Sequence, residues 1–151
     1  MKLSRKQIGH LARARVARLG TVDQKGRAHI VPIVFANTAH EIFFVVDNKT
    51  KKGHDLKRLK NIANNPRVTL LADCFSEDWS QLSYLIIYCK ARILGLGKEL
   101  PRKQKFARSL LKKYTQYSKG PYFPTDINEA VFVELIPIRA VYWHNLHTSS
   151  A

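Results

Sequence analysis

Apolar positions along the chain change period several times, and the changes mark its elements. Leu3, Ile8, Leu11 and Ala12 fall near helical spacing behind Ser4, predicting a short amphipathic helix over 3–13. Residues 16–22 read as a strand, and Asp23-Gln24-Lys25-Gly26 as a turn with Gly where a positive φ is needed. A second strand follows at 29–35. Its Pro32 deletes a ladder donor, which predicts a sheet edge, a bulge or a backbone turned towards a ligand. A polar turn at 37–40 leads to a third strand at 41–46, completing a β-meander.

Leu56, Leu59, Ile62 and Ala63 then mark a compact helix over 55–64, stopped by Asn64-Asn65-Pro66 because the residue before proline avoids the α region. Strands are expected at 68–72, 84–94 and 130–142, the last interrupted by Pro137, with a loop or single helical turn at 76–82. Between the last two strands, Leu100, Ala107, Leu110, Leu111 and Tyr114 mark one face of a helix. Arg102, Lys103, Lys105, Arg108 and Lys112 mark its other face. Six strands with inserted helices and no regular βαβ alternation predict a mainly β, small barrel in one domain covering 1–151.

At 151 residues and 45% hydrophobic content the chain can enclose one good core. No apolar run approaches the ~20 residues that span a bilayer. The basic N-terminus lacks an apolar signal region and is read as mature structure. Cys74 and Cys89 lack CxxC spacing, so a disulfide framework is not expected and a reducing cytoplasm fits.

The charge changes the picture. Lys and Arg number 26 against 11 acids, a net +15, which implies an anionic partner. Three stretches, 2–27, 49–67 and 98–119, hold 23 of the 26 cations. In the last, Lys and Arg interleave with Phe106, Tyr114 and Tyr117, which keeps a nucleic-acid or polyanion binder as the alternative function.

Side-chain catalysis finds little support. No nucleophile elbow, zinc-protease helix, Walker loop or dinucleotide fingerprint occurs. His144-x-x-His147 has a spacing that a metal could use but is read as a solvated tail, and no metal is expected. Cys89 reads as a core residue, and Asp73, Glu77 and Asp78 as a loop with a helix cap. The strongest local feature is Asp47-Asn48-Lys49-Thr50-Lys51-Lys52-Gly53 running into a helix, an arrangement of hydroxyl, ammonium and helix N–H donors that suits a phosphate.

The order of these features resembles the pyridoxamine 5′-phosphate oxidase-like, FMN-binding split-barrel family. Residues 17–23, Gly26 and 29–35 are similar to its first hairpin. Residues 43–52, the Leu-rich helix and Asn65-Pro66-Arg67-Val68 are similar to its phosphate-binding strand–loop–helix, which includes Val46. Val-Pro-Ile-Val-Phe at 31–35, Asp47-x-Lys49, Leu59-x-Asn61-Ile62 and Glu77-Asp78-Trp79 look most like its probable coenzyme F-420-dependent branch.

The resemblance implies a six-stranded split barrel and a homodimer with F-420 or FMN at the subunit interface. It also implies oxidoreductase chemistry, a hydride passing between cofactor and a small molecule. Thr50, Lys51 and Lys52 fall where the oxidases hold the cofactor phosphate, and Asp47 and Lys49 belong to the deazaflavin form of that loop. His29, Val31, Pro32 and Ile33 would lie along the ring system, and the partner subunit would supply Trp79. The oxidases' second-strand Arg and Lys fall at Val31 and Ala36 here, and their Arg-x-Glu-Gly is replaced by Ile87-Tyr88-Cys89-Lys90. Pyridoxamine phosphate oxidation is therefore not expected. Chemistry carried by a cofactor also accounts for the lack of a side-chain acid or nucleophile.

Overall fold

The computed structural model describes residues 1–47 and 56–145. Helix α1 (Arg5–Arg13) opens with Ser4 and Gln7 in a reciprocal capping box, as the Ser4 position predicts. The strands are β1 (Ala17–Val22), β2 (Ala28–Ile33), β3 (Ala36–Asn37), β4 (Ile42–Val45), β5 (Arg67–Cys74), β6 (Ser83–Leu94) and β7 (Phe132–His144). Between them lie α2 (Lys57–Asn64), a 3-10 turn at Trp79–Gln81, α3 (Leu100–Lys113) and α4 (Thr115–Lys119). No helix among the described residues is long and apolar enough to cross a membrane.

All the strands join one sheet in the order β2-β1-β5-β6-β7-β4-β3, with every described pairing antiparallel. Its two edge strands, β2 and β3, are separated in the chain only by Val34 and Phe35. The sheet must therefore curl until its edges approach, and the result is the split barrel expected. The sequence pattern predicts six strands. The seventh, β3, is a two-residue pairing of Ala36 and Asn37 with Phe43 and Ile42 at the start of what reads as a turn. Pro32 lies in edge strand β2, and Gly26 takes φ 75° in the β1–β2 turn, where the Asp23 carboxylate accepts from the Lys25 and Arg27 amides. Those amides, the Arg27 one foremost, hold the Asp23 carboxyl below its usual range.

Two cores result. Inside the curl, Leu19, Phe35, Phe44, Leu70, Leu85, Ile87 and Leu135 pack with Leu11 of α1 and Leu59 and Ile62 of α2. On the outer side, α3 and α4 cover only one end of the sheet. There Phe106 stacks on Phe43 at 3.9 Å between ring centroids, and Leu110, Tyr117 and Phe132 close the cluster.

That second core corrects the expected faces of α3. Lys103 and Phe106 are fully buried, whereas Leu100 is exposed. The Lys103 ammonium donates to the carbonyls of Gly95 and Asn128, so a residue read as surface charge ties two loops together. Likewise Ala63 is exposed and Asn61 is buried in its place on α2.

β7 departs from regular pairing. Tyr88 of β6 pairs with Arg139 and Cys89 with Pro137, so Ile138 is an extra residue. Pro137 has no N–H to offer an interior strand, and a bulge is where such a strand accommodates it.

Candidate functional site

The site that the sequence points to is the passage from β4 through the following loop into α2. Val46 ends the strand pairing, its amide bonded to the Val131 carbonyl at 2.9 Å. Asp47 comes next, half-buried, and its charge acts on both Arg58 of α2 and Tyr117 of α4. Lys49, Thr50, Lys51 and Lys52 lie outside the described residues. On the far side of that loop α2 begins at Lys57, with no side chain among the described residues capping its N-terminus and no acid in its first turn. The first-turn residues are instead Lys57 and Arg58, the reverse of what the helix dipole favours, so an added anion would be stabilised there.

Arg58 is the residue that the sequence reading missed. Its Nε is buried and meets no hydrogen-bond partner among the described residues. Burial pulls its guanidinium below the ordinary arginine range, and Asp47 acts against that pull. A buried donor without an acceptor is destabilising by ~1–3 kcal/mol, so it signals a missing acceptor. The donor set here fits an anionic group: a guanidinium N–H and a helix start that no described residue satisfies, following a lysine- and threonine-rich stretch of sequence. In the sequence Arg58 is one of seven cations in 49–67, and only its burial sets it apart.

Strand β2 divides the remaining candidates. Its burial alternates, so His29 and Val31, half-buried, and Ile33, buried, share the inner face, while Pro32 is exposed on the outer face with Ile30. His29 pairs in register with Thr21, whose hydroxyl accepts from Asn61 Nδ2 at 3.0 Å and points at the His29 carbonyl at 3.4 Å. The inner face of β2 is thereby coupled to α2, the helix that leaves the candidate phosphate loop. As an edge strand β2 also keeps one row of backbone groups outside the ladder, able to bond the polar edge of a flat ligand.

Trp79 stands apart, in the 3-10 turn at the opposite end of β5 and β6, with 67% of its surface exposed. The Asp78 carboxylate caps that turn by accepting from the Ser80 amide, and Asn145 Nδ2 donates to the Trp79 carbonyl at 2.8 Å. Asp73 pairs with Arg18 at 2.8 Å. Asp78 thus caps a turn and Asp73 pairs with an arginine, the loop-and-cap arrangement that the sequence predicts. Cys89 is buried and its thiol is pushed up to about 12, which makes it inert. Among the described residues no group of three His, Cys, Asp or Glu side chains is placed to hold a metal, and His147 lies outside them.

The polyanion alternative loses its stacking platform. Phe106, Tyr114 and Tyr117 are all buried, and Tyr114 spends its hydroxyl on Arg15 and Phe35. What remains exposed is a set of cations, one of which, Lys105, faces Glu41 at 3.4 Å.

Solved structures share this fold at low identity. The heme storage protein HutZ of Vibrio cholerae is 16% identical, with a TM-score of 0.71 over 98% of this chain and 100% of its own. A conserved protein from Mycobacterium tuberculosis is 20% identical, with a TM-score of 0.73 over 99% and 92%. An F420 reductase is 20% identical, with a TM-score of 0.60 over 88% and 94%. No curated protein sequence matches the chain. The family model described as pyridoxamine 5′-phosphate oxidase matches residues 6–144, nearly the whole split barrel, and the chain belongs to that family.

Proposed function

We propose that the protein is an oxidoreductase that binds F-420 or FMN and passes a hydride between that cofactor and a small molecule. The observation that carries this reading is the orphaned Arg58 Nε, on which the Asp47 charge acts, at the exit of a loop whose lysines and threonine suit a phosphate. Membership of a family named for a flavin-type oxidase and likeness to an F420 reductase support the same class of cofactor.

In this reading the bound flavin or deazaflavin supplies the ring atom that exchanges hydride. The chain's own residues hold, orient and dry it. Arg58, Lys49, Lys51, Lys52 and the Thr50 hydroxyl neutralise its phosphate through charge-assisted hydrogen bonds. The backbone of β2 fixes the ring's polar edge, and His29 and Val31 fill the space on the inner side. A second subunit, its Trp79 brought over the site, excludes water. Three cationic stretches also suit F-420, which carries a phosphodiester and glutamates, and Arg13, Arg15 and Lys57 offer further contacts for that tail.

Titration of the purified protein with FMN and with F-420, followed by absorbance and fluorescence, tests the reading. Saturable binding of one cofactor is expected, lost by about 100-fold or more in the Lys51→Ala/Lys52→Ala variant with little change in apo melting temperature. Binding of neither cofactor would overturn it.

A further inference from the structure

The bulge in β7 does more than accommodate a proline. Before it, alternation sends Leu135 inward, Ile136 outward and Pro137 inward. Unbroken alternation would then turn Ile138 outward and Arg139 into the core. The extra residue resets the phase, so that Ile138 and Arg139 are both exposed and the inner positions resume at Ala140. Arg139 therefore lies on the outer face because of the bulge. Bulges recur next to functional sites for this reason: they re-aim a side chain.

On that face Arg139 borders an open pocket of about 420 Å³, with Arg67, Thr69, Tyr88 and Ile138 among its walls. Register explains the assembly. Gly20, Thr69, Tyr88 and Arg139 lie in one row across β1, β5, β6 and β7, and Arg67 is one outward position from Thr69. The Arg139 guanidinium sits over the Tyr88 ring at 4.6 Å from its centroid, which fixes its plane. The pocket has no acid in its lining, and neither guanidinium pairs with a carboxylate among the described residues. Arg18, Arg27, Arg92 and Arg102 do, whereas Arg5, Arg13, Arg15 and Arg108, like the two pocket arginines, have no carboxylate partner among the described residues. Arg139 is also one of only three cations outside the three basic stretches, so general surface charge does not account for it.

We infer that this pocket binds the carboxylate or phosphate group of a small organic molecule, held between Arg67 and Arg139 with its apolar part against Tyr88 and Ile138. Two guanidinium groups suit a two-oxygen anion, and a hydroxyl and a phenol complete a small polar set on an apolar wall. The pocket lies over the Tyr88-Cys89 segment, where the Arg-x-Glu-Gly of the oxidases is absent. Naming the bound anion as the substrate rests on the cofactor reading above; the anion site itself does not.

Benzoate, phenyl phosphate and inorganic phosphate are the probes, titrated calorimetrically at low salt. The proteins are wild type, Arg67→Met, Arg139→Met, the double variant, and an Arg108→Met/Lys112→Met control on α3. Saturable binding of benzoate or phenyl phosphate is expected, weakened about 10-fold or more by each single change, abolished in the double variant and kept in the control. FMN and F-420 affinities should be the same in wild type and double variant. No saturable binding, or equal loss in the control, overturns the inference. So does a double variant that loses self-association while wild type ignores the probes, because the arginines then pair with a second copy's acids. Anion binding in a protein that takes up neither cofactor upholds the site and removes only its assignment to substrate.

Discussion

Asn61 on α2 and Thr21 on β1 share a buried hydrogen bond, Nδ2 to Oγ1 at 3.0 Å. The pair links the helix leaving the candidate phosphate loop to the strand beside β2. Both ends of the proposed cofactor site are thereby referred to one buried contact.

Removing either partner should reveal that link. Thr21→Val strands the Asn61 amide in the core and should destabilise by ~1–3 kcal/mol. Asn61→Leu leaves the Thr21 hydroxyl its His29 carbonyl and should do less harm. The double variant should be more stable than the sum of the two losses by about 1 kcal/mol in urea unfolding. Strict additivity would show that the contact carries no coupling.

Arg58 should behave as a binding residue rather than a stabilising one. Arg58→Met removes an orphaned buried donor, so apo stability should hold or rise slightly. Cofactor affinity should fall by about 10- to 100-fold, the range of one charge-assisted contact. A variant that binds FMN and F-420 like wild type, or that fails to fold, would refute the role given to Arg58.

The Glu134 cluster predicts an asymmetry. Its carboxylate is fully buried and paired with Arg92 and Arg102, whose side chains remain 45% and 39% exposed. Glu134→Gln leaves two arginines that can turn to water, and the loss should be ~1–2 kcal/mol. Arg92→Met/Arg102→Met strands a buried negative charge, and the loss should reach ~3–5 kcal/mol. Equal losses in chemical denaturation would contradict this account of the cluster.

Lys113 gives stability a dependence on pH. Burial, with Arg15 adding repulsion, lowers its ammonium to about 8 from 10.5, although it donates to the Leu11 carbonyl and sits over the Phe35 ring. Between those values the unfolded chain binds more protons than the folded one, so this group's contribution makes stability rise with pH. Cys89 and Tyr114, both pushed upward by burial, act in the opposite sense above about 9 and 10. The measurable quantity is therefore a difference: from pH 7.5 to 9.5, wild type should gain stability relative to Lys113→Met. A constant difference would show that Lys113 is not titrating in this range.

The strands, turns and helix caps were readable because each rests on local chemistry. Ser4, Gly26, Pro32 and Asn65-Pro66 act within a few residues of themselves. What was not readable depends on the far side of a contact. Lys103 looks like its neighbours in a basic helix until two loop carbonyls 8 and 25 residues away appear beside it. Arg58 is one cation among seven until its Nε is found buried. The second core explains both the hidden aromatics of α3 and α4 and the weakness of the polyanion reading. Periodicity marks the apolar face of a helix but not how much of it the sheet will cover. The Pro137 interruption was visible; its consequence, Arg139 turned outward, needed the register.

The uncovered part of the sheet leads to the last prediction. Beyond the reach of α3 and α4, and past the Arg67–Arg139 pocket, the outer face presents Val141 and Trp143, both exposed, with Trp143 stacked on Tyr84 at 5.4 Å. Register joins them: Tyr84 faces Trp143 and Ile86 faces Val141. Apolar side chains adjacent across strands form a continuous patch, which monomers rarely leave in water. We expect a homodimer that buries this end of the face and leaves the Arg67–Arg139 pocket open at its margin, with well over ~1,000 Å² in the interface. Light scattering should give twice the 17.3 kDa of one chain at micromolar concentration. Val141→Glu should reduce that mass to one chain by placing an unpaired carboxylate within the buried patch. Its own fold should survive, because Val141 faces away from both cores. If the cofactor site is shared, cofactor affinity should fall in step with the dimer population as the Val141→Glu protein is diluted. A monomeric wild type, or a monomeric variant that binds cofactor at full affinity, would show that one subunit is sufficient and that Trp79 of a partner has no part in the site.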